Sequence, residues 1–324
     1  MTRLIAELCQ NHLGDREILR TMVEEAAKSG AYFCKIQSMR ATELTLRERF
    51  EQGCIGENGE TLTIKRPYRP EHDRLAPLDL SDDDHKYFIE LCRENNVKPL
   101  TTAFTRDRVE FLSQLEWGHR SIKLASYDCS SLPLLKDLVS AGFKHLLIST
   151  GAAHDQEIKR TAEYLTDLGC QFTFLHCVTI YPTTLEEGHL NRVDYLRTFT
   201  DDVGFSEHSN YETDGLKLST MALTKNIQWI ERHFTSVGKT DTKDGPVSLN
   251  SFQFNELYNL CNLSSEELDR VIGQTMTADE QRLILGSERR QLSATELLNR
   301  DYYRGRFASR RGATVLYNWE EESG

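Results

Sequence analysis

Eight short apolar segments recur along this chain, and each is followed by an amphipathic run or a long polar loop. They read RLIAEL (3–8), YFCKIQ (32–37), KPLTTAF (98–104), SIKLAS (121–126), HLLIST (145–150), FTFLHC (172–177), VGFSEH (203–208) and IQWIERHFT (227–235). Short apolar runs of this kind, bounded by turn residues, suit strands buried on both faces. Apolar residues at helical spacing predict helices at Asp15 to Ser29, 81–96, Asp107 to Leu115, Leu132 to Ala141, Asp155 to Leu168 and Thr213 to Lys225, with a short one at Asp194 to Phe199. Strands alternating with helices demand parallel neighbours joined by crossovers, and eight repeats favour a closed (β/α)8 TIM barrel. The competing open nucleotide-binding sheet would carry a G-x-G-x-x-G turn after its first strand, and Glu7 to Gly14 has none. Ser251 to Thr275 supplies the eighth helix, so the barrel is assigned to residues 1–276. The remainder, 277–324, reads as a charged extension wrapping the outside of the barrel, too short and polar for a second cored domain. Residues 40–80, with GENGE and prolines at 67, 70 and 77, break the beat and read as a functional loop rather than filler, with partial disorder as the rival.

Composition excludes several functions. The formal charge of −11 opposes general attraction to a nucleic-acid backbone, although a local cluster of lysines can still bind a small anion. No apolar run approaches the roughly 18 residues of a membrane span, and no signal-peptide pattern precedes the first strand, which together predict a cytoplasmic protein with neither nucleic-acid nor membrane partners. Eight cysteines without a C-x-x-C pair read as reduced packing thiols.

In such a barrel the side chains at the C-terminal strand ends converge on one mouth. Here those ends carry Glu7, Lys35 with Gln37, Thr102, Lys123 with Ser126, Ser149, His176, Ser206 with His208, and His233. Each has an ordinary reading by itself. Lys35 and Lys123 serve equally well as partners of a barrel carboxylate, Thr102, Ser126 and Ser149 as local caps, and His208 and His233 as hydrogen-bonded core histidines; His176, inside an apolar run, is read as structural. As a set they are harder to dismiss, because an unpaired buried polar group costs about 1–3 kcal/mol. Two lysines among hydroxyls make an anion pocket for a small phosphorylated or carboxylated substrate. Two neighbouring imidazoles make a divalent-metal site with open positions.

The segments AELCQNHLG, FCKIQ, LTTAF, IKLASYD, LISTG, LHCVTIYPT, VGFSEHS and IERHFT, in this order, resemble the sialic acid synthase family over roughly residues 3–250. The resemblance implies a TIM barrel, and a chain whose C-terminal part lacks the antifreeze-like domain usual in that family. It implies a metal-dependent condensation of phosphoenolpyruvate with an aldose or other aldehyde, giving a 2-keto-3-deoxy (nonulosonic-type) sugar acid and phosphate. His208 and His233 would bind the metal, with Mn2+ expected ahead of Mg2+, Co2+ or Zn2+. Lys35, Thr102, Lys123, Ser126, Ser149 and Ser206 would hold phosphoenolpyruvate, Glu7 would handle a proton or orient a hydroxyl, and Gln37 and Tyr181 would contact the sugar. A homodimer is expected by analogy. Thr179, Glu207 and Val247 depart from the family pattern, which predicts an acceptor other than N-acetylmannosamine. Two alternatives stand beside this reading: a Schiff-base pyruvate aldolase using Lys35 or Lys123, and a non-catalytic barrel that binds a sugar phosphate.

Overall fold

The computed structural model describes residues 2–321. Its centre is an all-parallel barrel of β1 (Arg3–Cys9), β2 (Phe33–Ser38), β3 (Lys98–Ala103), β4 (Ser121–Leu124), β5 (His145–Ser149), β6 (Gln171–Cys177), β7 (Val203–Glu207) and β8 (Trp229–Phe234). Each strand pairs with the next, and pairing of Arg3 to Glu7 with Trp229 to His233 closes the ring. The predicted (β/α)8 fold is thus the observed one.

Helices α1 (Arg16–Lys28), α2 (Asp82–Glu94), α3 (Val109–Ser113), α4 (Leu132–Ser140), α5 (Asp155–Asp167), α6 (Arg192–Arg197), α7 (Lys217–Leu223) and α8 (Ser251–Leu260) cover the barrel. Their starts follow from local chemistry. Asp15 accepts from the Glu17 and Ile18 amides to cap α1, and Ser81 with Asp84 forms a capping box on α2. Leu19, Met22, Val23 and Ala26 then form the buried stripe of α1. Two predicted helices divide. The run from Thr213 to Lys225 breaks at Gly215, whose φ of +59° ends the turn Tyr211–Asp214 before α7 begins. The run from Ser251 to Thr275 becomes α8 and α9 (Ser265–Thr275), because Ser264 opens a new capping box with Glu267.

The stretch after β2 is folded. It contains a 3-10 turn Ala41–Glu43, a helix Arg49–Gln52, a hairpin of Cys54–Ile55 with Thr61–Thr63, and a helix Tyr68–Leu75. The C-terminal residues form α10 (Ala278–Leu285), α11 (Ala294–Tyr303) and a hairpin of Ser309–Arg311 with Thr314–Leu316. Only α10 lies on the outside as expected: it is held by the Leu190 amide on the Ile284 carbonyl at 3.0 Å and by a Lys217–Glu280 ion pair at 2.6 Å. From α11 onward the chain instead crosses the barrel mouth and lies on the insertion. The Thr45 amide donates to the Arg306 carbonyl at 2.9 Å, and Arg47 donates to the Arg304 carbonyl at 3.1 Å. Phe307 is buried among Met39, Ala41, Leu44 and Leu75. Burying a phenylalanine is worth about 1.5–3 kcal/mol, so an apolar anchor, missed among the surrounding charges, corrects the expected path.

Candidate active site

The site follows from the two-residue repeat of a strand. At the bottom of the barrel Ile5, Phe33, Leu100, Leu147, Leu175 and Trp229 form an apolar layer. Two residues further along the same strands stand Glu7, Lys35, Thr102, Ser149, Cys177 and Glu231, joined by Lys123 and Ser206, and all line one cavity. Another step of two brings Gln37 from β2, Phe104 after β3, His208 after β7 and His233 from β8 to the wall of the same cavity. Ser126 and Tyr181 complete it from the loops after β4 and β6. All eleven residues singled out from sequence therefore meet. His176 is structural, its Nε2 2.7 Å from the Gly188 carbonyl oxygen and its ring stacked on Phe205.

Glu231 escaped the sequence reading and reorganises it. Its carboxylate lies 3.5 Å from Lys35 Nζ and 3.8 Å from Lys123 Nζ, and accepts from Ser206 Oγ at 2.8 Å. Burial opposes its ionisation, but Lys123, Lys35 and Ser206 hold it down at about 2. Lys35 also pairs with Glu7 and donates to Thr102 Oγ1 at 2.9 Å, while Lys123 donates to Ser149 Oγ at 2.6 Å. The two ammonium groups are thus balanced by two carboxylates. The pocket is an electroneutral grid of alternating charges rather than the net-positive cradle expected from sequence, and burial takes Lys35 down to about 8. The visible signal was the spacing of Glu231 and His233 in IERH, which puts both inside.

The imidazoles of His208 and His233 face each other edge to face with ring centres 5.2 Å apart, and Tyr181 lies 4.1 Å from His208. Burial, the neighbouring imidazole and Arg232 keep His208 well below its ordinary range, and burial also lowers His233 against the pull of Asp244. Both shifts favour the neutral imidazole, the form that ligates a metal. His233 Nδ1 is buried without a hydrogen-bond partner, and it lies in a group with Cys9 and Asp244 whose donor atoms are all within 4.8 Å of one another. A divalent cation fits this donor set. Cys9 reaches it because the β1–β2 register shifts between Glu7 and Cys9 and the Cys9 φ is +41°.

Glu207 behaves differently from its neighbours Ser206 and His208. It points out of the barrel, fully buried, where it pairs with Arg232 and accepts from Ser209 and Ser219. Its departure from the family pattern therefore sits in the barrel wall and not beside an acceptor, correcting the sequence reading.

Above the cavity, Gln37, Tyr181 and His233 also line an outer vestibule roofed by Asn299, Tyr303 and Arg306 of the C-terminal segment. Asn299 donates to the Thr179 carbonyl at 2.7 Å, Tyr303 stacks on Tyr127 at 5.0 Å, and Arg300 forks onto Glu157 at 2.6 and 2.9 Å. Asp107 accepts from the Arg310 backbone amide at 2.8 Å and pairs with the Arg311 side chain, and neither arginine lines the vestibule, whereas Arg306 does.

The model of the NeuB family matches residues 22–272. The chain belongs to this family. The N,N'-diacetyllegionaminic acid synthase of Campylobacter jejuni is 31% identical to this NeuB-family chain over 272 residues, covering 80% of it and 74% of that protein. The N,N'-diacetyllegionaminic acid synthase of Legionella pneumophila is 27% identical over 325 residues, 97% of this chain and 84% of that one. The crystal structure of N-acetylneuraminic acid synthetase from Leptospira borgpetersenii, in complex with citrate, superposes with a TM-score of 0.68 at 22% identity, covering 93% and 90% of the two chains, and shares the barrel fold. This NeuB-family protein is a sialic acid synthase-like enzyme. No helix among its described residues is long and apolar enough to cross a membrane.

Proposed function

We propose that this protein condenses phosphoenolpyruvate with an aldose in a divalent-metal-dependent reaction that releases phosphate. The observation that carries this reading is the meeting of two paired lysines and two facing imidazoles in one cavity. Lys35, Lys123, Thr102, Ser126, Ser149 and Ser206 offer the donors for the carboxylate and phosphate of phosphoenolpyruvate. Lys35 and Lys123 have carboxylate partners already in place, so an entering anion competes with Glu7 and Glu231 for them and needs no costly reorganisation of water. Gln37, which donates to Glu7 at 3.2 Å, and Tyr181 face the acceptor. Glu7 is placed to hold a proton or orient a hydroxyl where the new bond forms. His208 and His233 would hold the cation, and Asp244 and Cys9 have donor atoms within 4.8 Å of one on His233; Mn2+ stands first, ahead of Mg2+, Co2+ and Zn2+. When bound, such a cation supplies Lewis-acid polarisation of the acceptor's carbonyl oxygen. The carbon balance is simple: C3 of phosphoenolpyruvate bonds to the aldehyde carbon, water adds at C2, and the C2–O bond to phosphate breaks.

The test is phosphate release from phosphoenolpyruvate and a panel of aldoses with Mn2+. It is expected to need all three components and to fall by about 10²–10³-fold in His208→Ala and His233→Ala. Turnover in the presence of a strong chelator would overturn the metal dependence. Trapping a pyruvate adduct with borohydride would transfer the reaction to a lysine Schiff base. A homodimer in the cytoplasm completes the proposal, and light scattering checks the assembly.

A further inference from the structure

The vestibule carries charge that the chemistry above does not use. Its wall brings together Arg66 and Arg74 from the insertion, Lys243 from the loop after β8 and Arg306 from the C-terminal segment. In a chain of net charge −11, three cations gathered around one carboxylate, Glu71, with Arg66 as a fourth on the same wall, is a costly arrangement. Arg74 donates to Glu71 at 3.0 and 3.1 Å and Arg306 donates to it as well, which is enough to satisfy the carboxylate. That clamp leaves the other two cations over. Lys243 Nζ stands 3.9 Å from Glu71, beyond hydrogen-bonding distance. Arg66 makes no side-chain hydrogen bond or ion pair among the described residues, and Arg306, only 9% exposed, has a buried Nε without a partner. The wall's own acids do not cancel this charge. Asp128 is tied to Ser131 and Asn318 at 2.9 Å, and Asp244 belongs to the group around His233.

We propose that this vestibule recognises an anionic group, phosphate or carboxylate, on the acceptor aldose at the end remote from its aldehyde. The inference rests on the synthase reading above, since it needs the aldehyde to lie between Tyr181 and His233, two of the residues that line both cavity and vestibule. An open-chain aldose extending outward from there places its far end among Arg66, Lys243 and Arg306. The exposed guanidinium of Arg66, with its N–H groups uncommitted among the described residues, has the donor geometry that takes two oxygens of one anion.

The experiment compares arabinose with arabinose 5-phosphate, and glucose with glucuronate, as acceptors with phosphoenolpyruvate and Mn2+. The expected result is a kcat/KM at least about tenfold higher for an anionic member than for its neutral partner. This preference should shrink by about tenfold in Lys243→Gln and in Arg66→Gln, two exposed positions whose folding is checked by thermal melting. The phosphate and carboxylate arms tell the two anions apart. Equal or better use of the neutral aldoses, or a preference that both variants leave intact, overturns the proposal while the synthase reading stands. If no pair releases phosphate, the synthase reading fails. Calorimetric titration of arabinose 5-phosphate then decides the anion site separately: no heat of binding, or binding unchanged in both variants, overturns it, and binding lost in both supports it.

Discussion

Glu231 shows how much one residue can change the physics of a site. Bridging Lys35 and Lys123, it turns two buried cations from a liability into a fixed framework, because each charge finds an opposite one without water. Removing one partner of a buried pair costs roughly 3–5 kcal/mol, so Glu231→Gln is expected to lower the free energy of unfolding by about that amount in denaturant titrations. The same variant leaves the pocket one positive charge richer. Phosphoenolpyruvate should therefore raise the melting temperature of Glu231→Gln more than that of the parent, while phosphate release drops by about 10²-fold. Ten of the eleven site residues were legible because polar groups at the ends of buried strands stand out against valine and leucine; Tyr181, in the loop after β6, came only from the family resemblance. Glu231 was not legible, since an acid beside an arginine inside IERH reads equally well as a wall ion pair, which is what Glu207 and Arg232 form.

At the scale of elements, the strands, the outer helices and most caps are local, and local patterns announced them. The insertion and the C-terminal segment meet through residues such as Thr45 and Arg306, 261 positions apart, and no periodicity encodes such a pairing. Glu71 is the electrostatic centre of that meeting. Burial opposes its ionisation, but Arg74, Arg306 and Lys243 carry it to about 2, below the ordinary 4.5. The folded protein therefore binds fewer protons than the unfolded chain between these values. The resulting stability is fully present above about pH 4.5 and is lost as pH falls toward 2. Thermal melts across this window should show a Glu71-dependent increment of roughly 3 kcal/mol at most, absent in Glu71→Gln.

For the whole molecule, the barrel supplies the chemistry and the two crossing segments supply its entrance. Deleting residues 291–324 strips the cover from Met39, Ala41, Leu44 and Leu75 and removes Asn299, Tyr303 and Arg306 from the vestibule. The truncated protein is expected to melt at lower temperature and to show a raised KM for its acceptor, with a smaller change in the KM for phosphoenolpyruvate, measured by phosphate release.

The interlock of Leu44 and Thr45 with Arg306 and Phe307 also sets a timetable. Synthesis runs from the N-terminus at about 5–20 residues per second, so all eight strands can leave the ribosome well before the roof does. A nascent chain halted near residue 290 would own all eleven of those cavity-lining residues and still lack Asn299, Tyr303 and Arg306 at the cavity's outer rim.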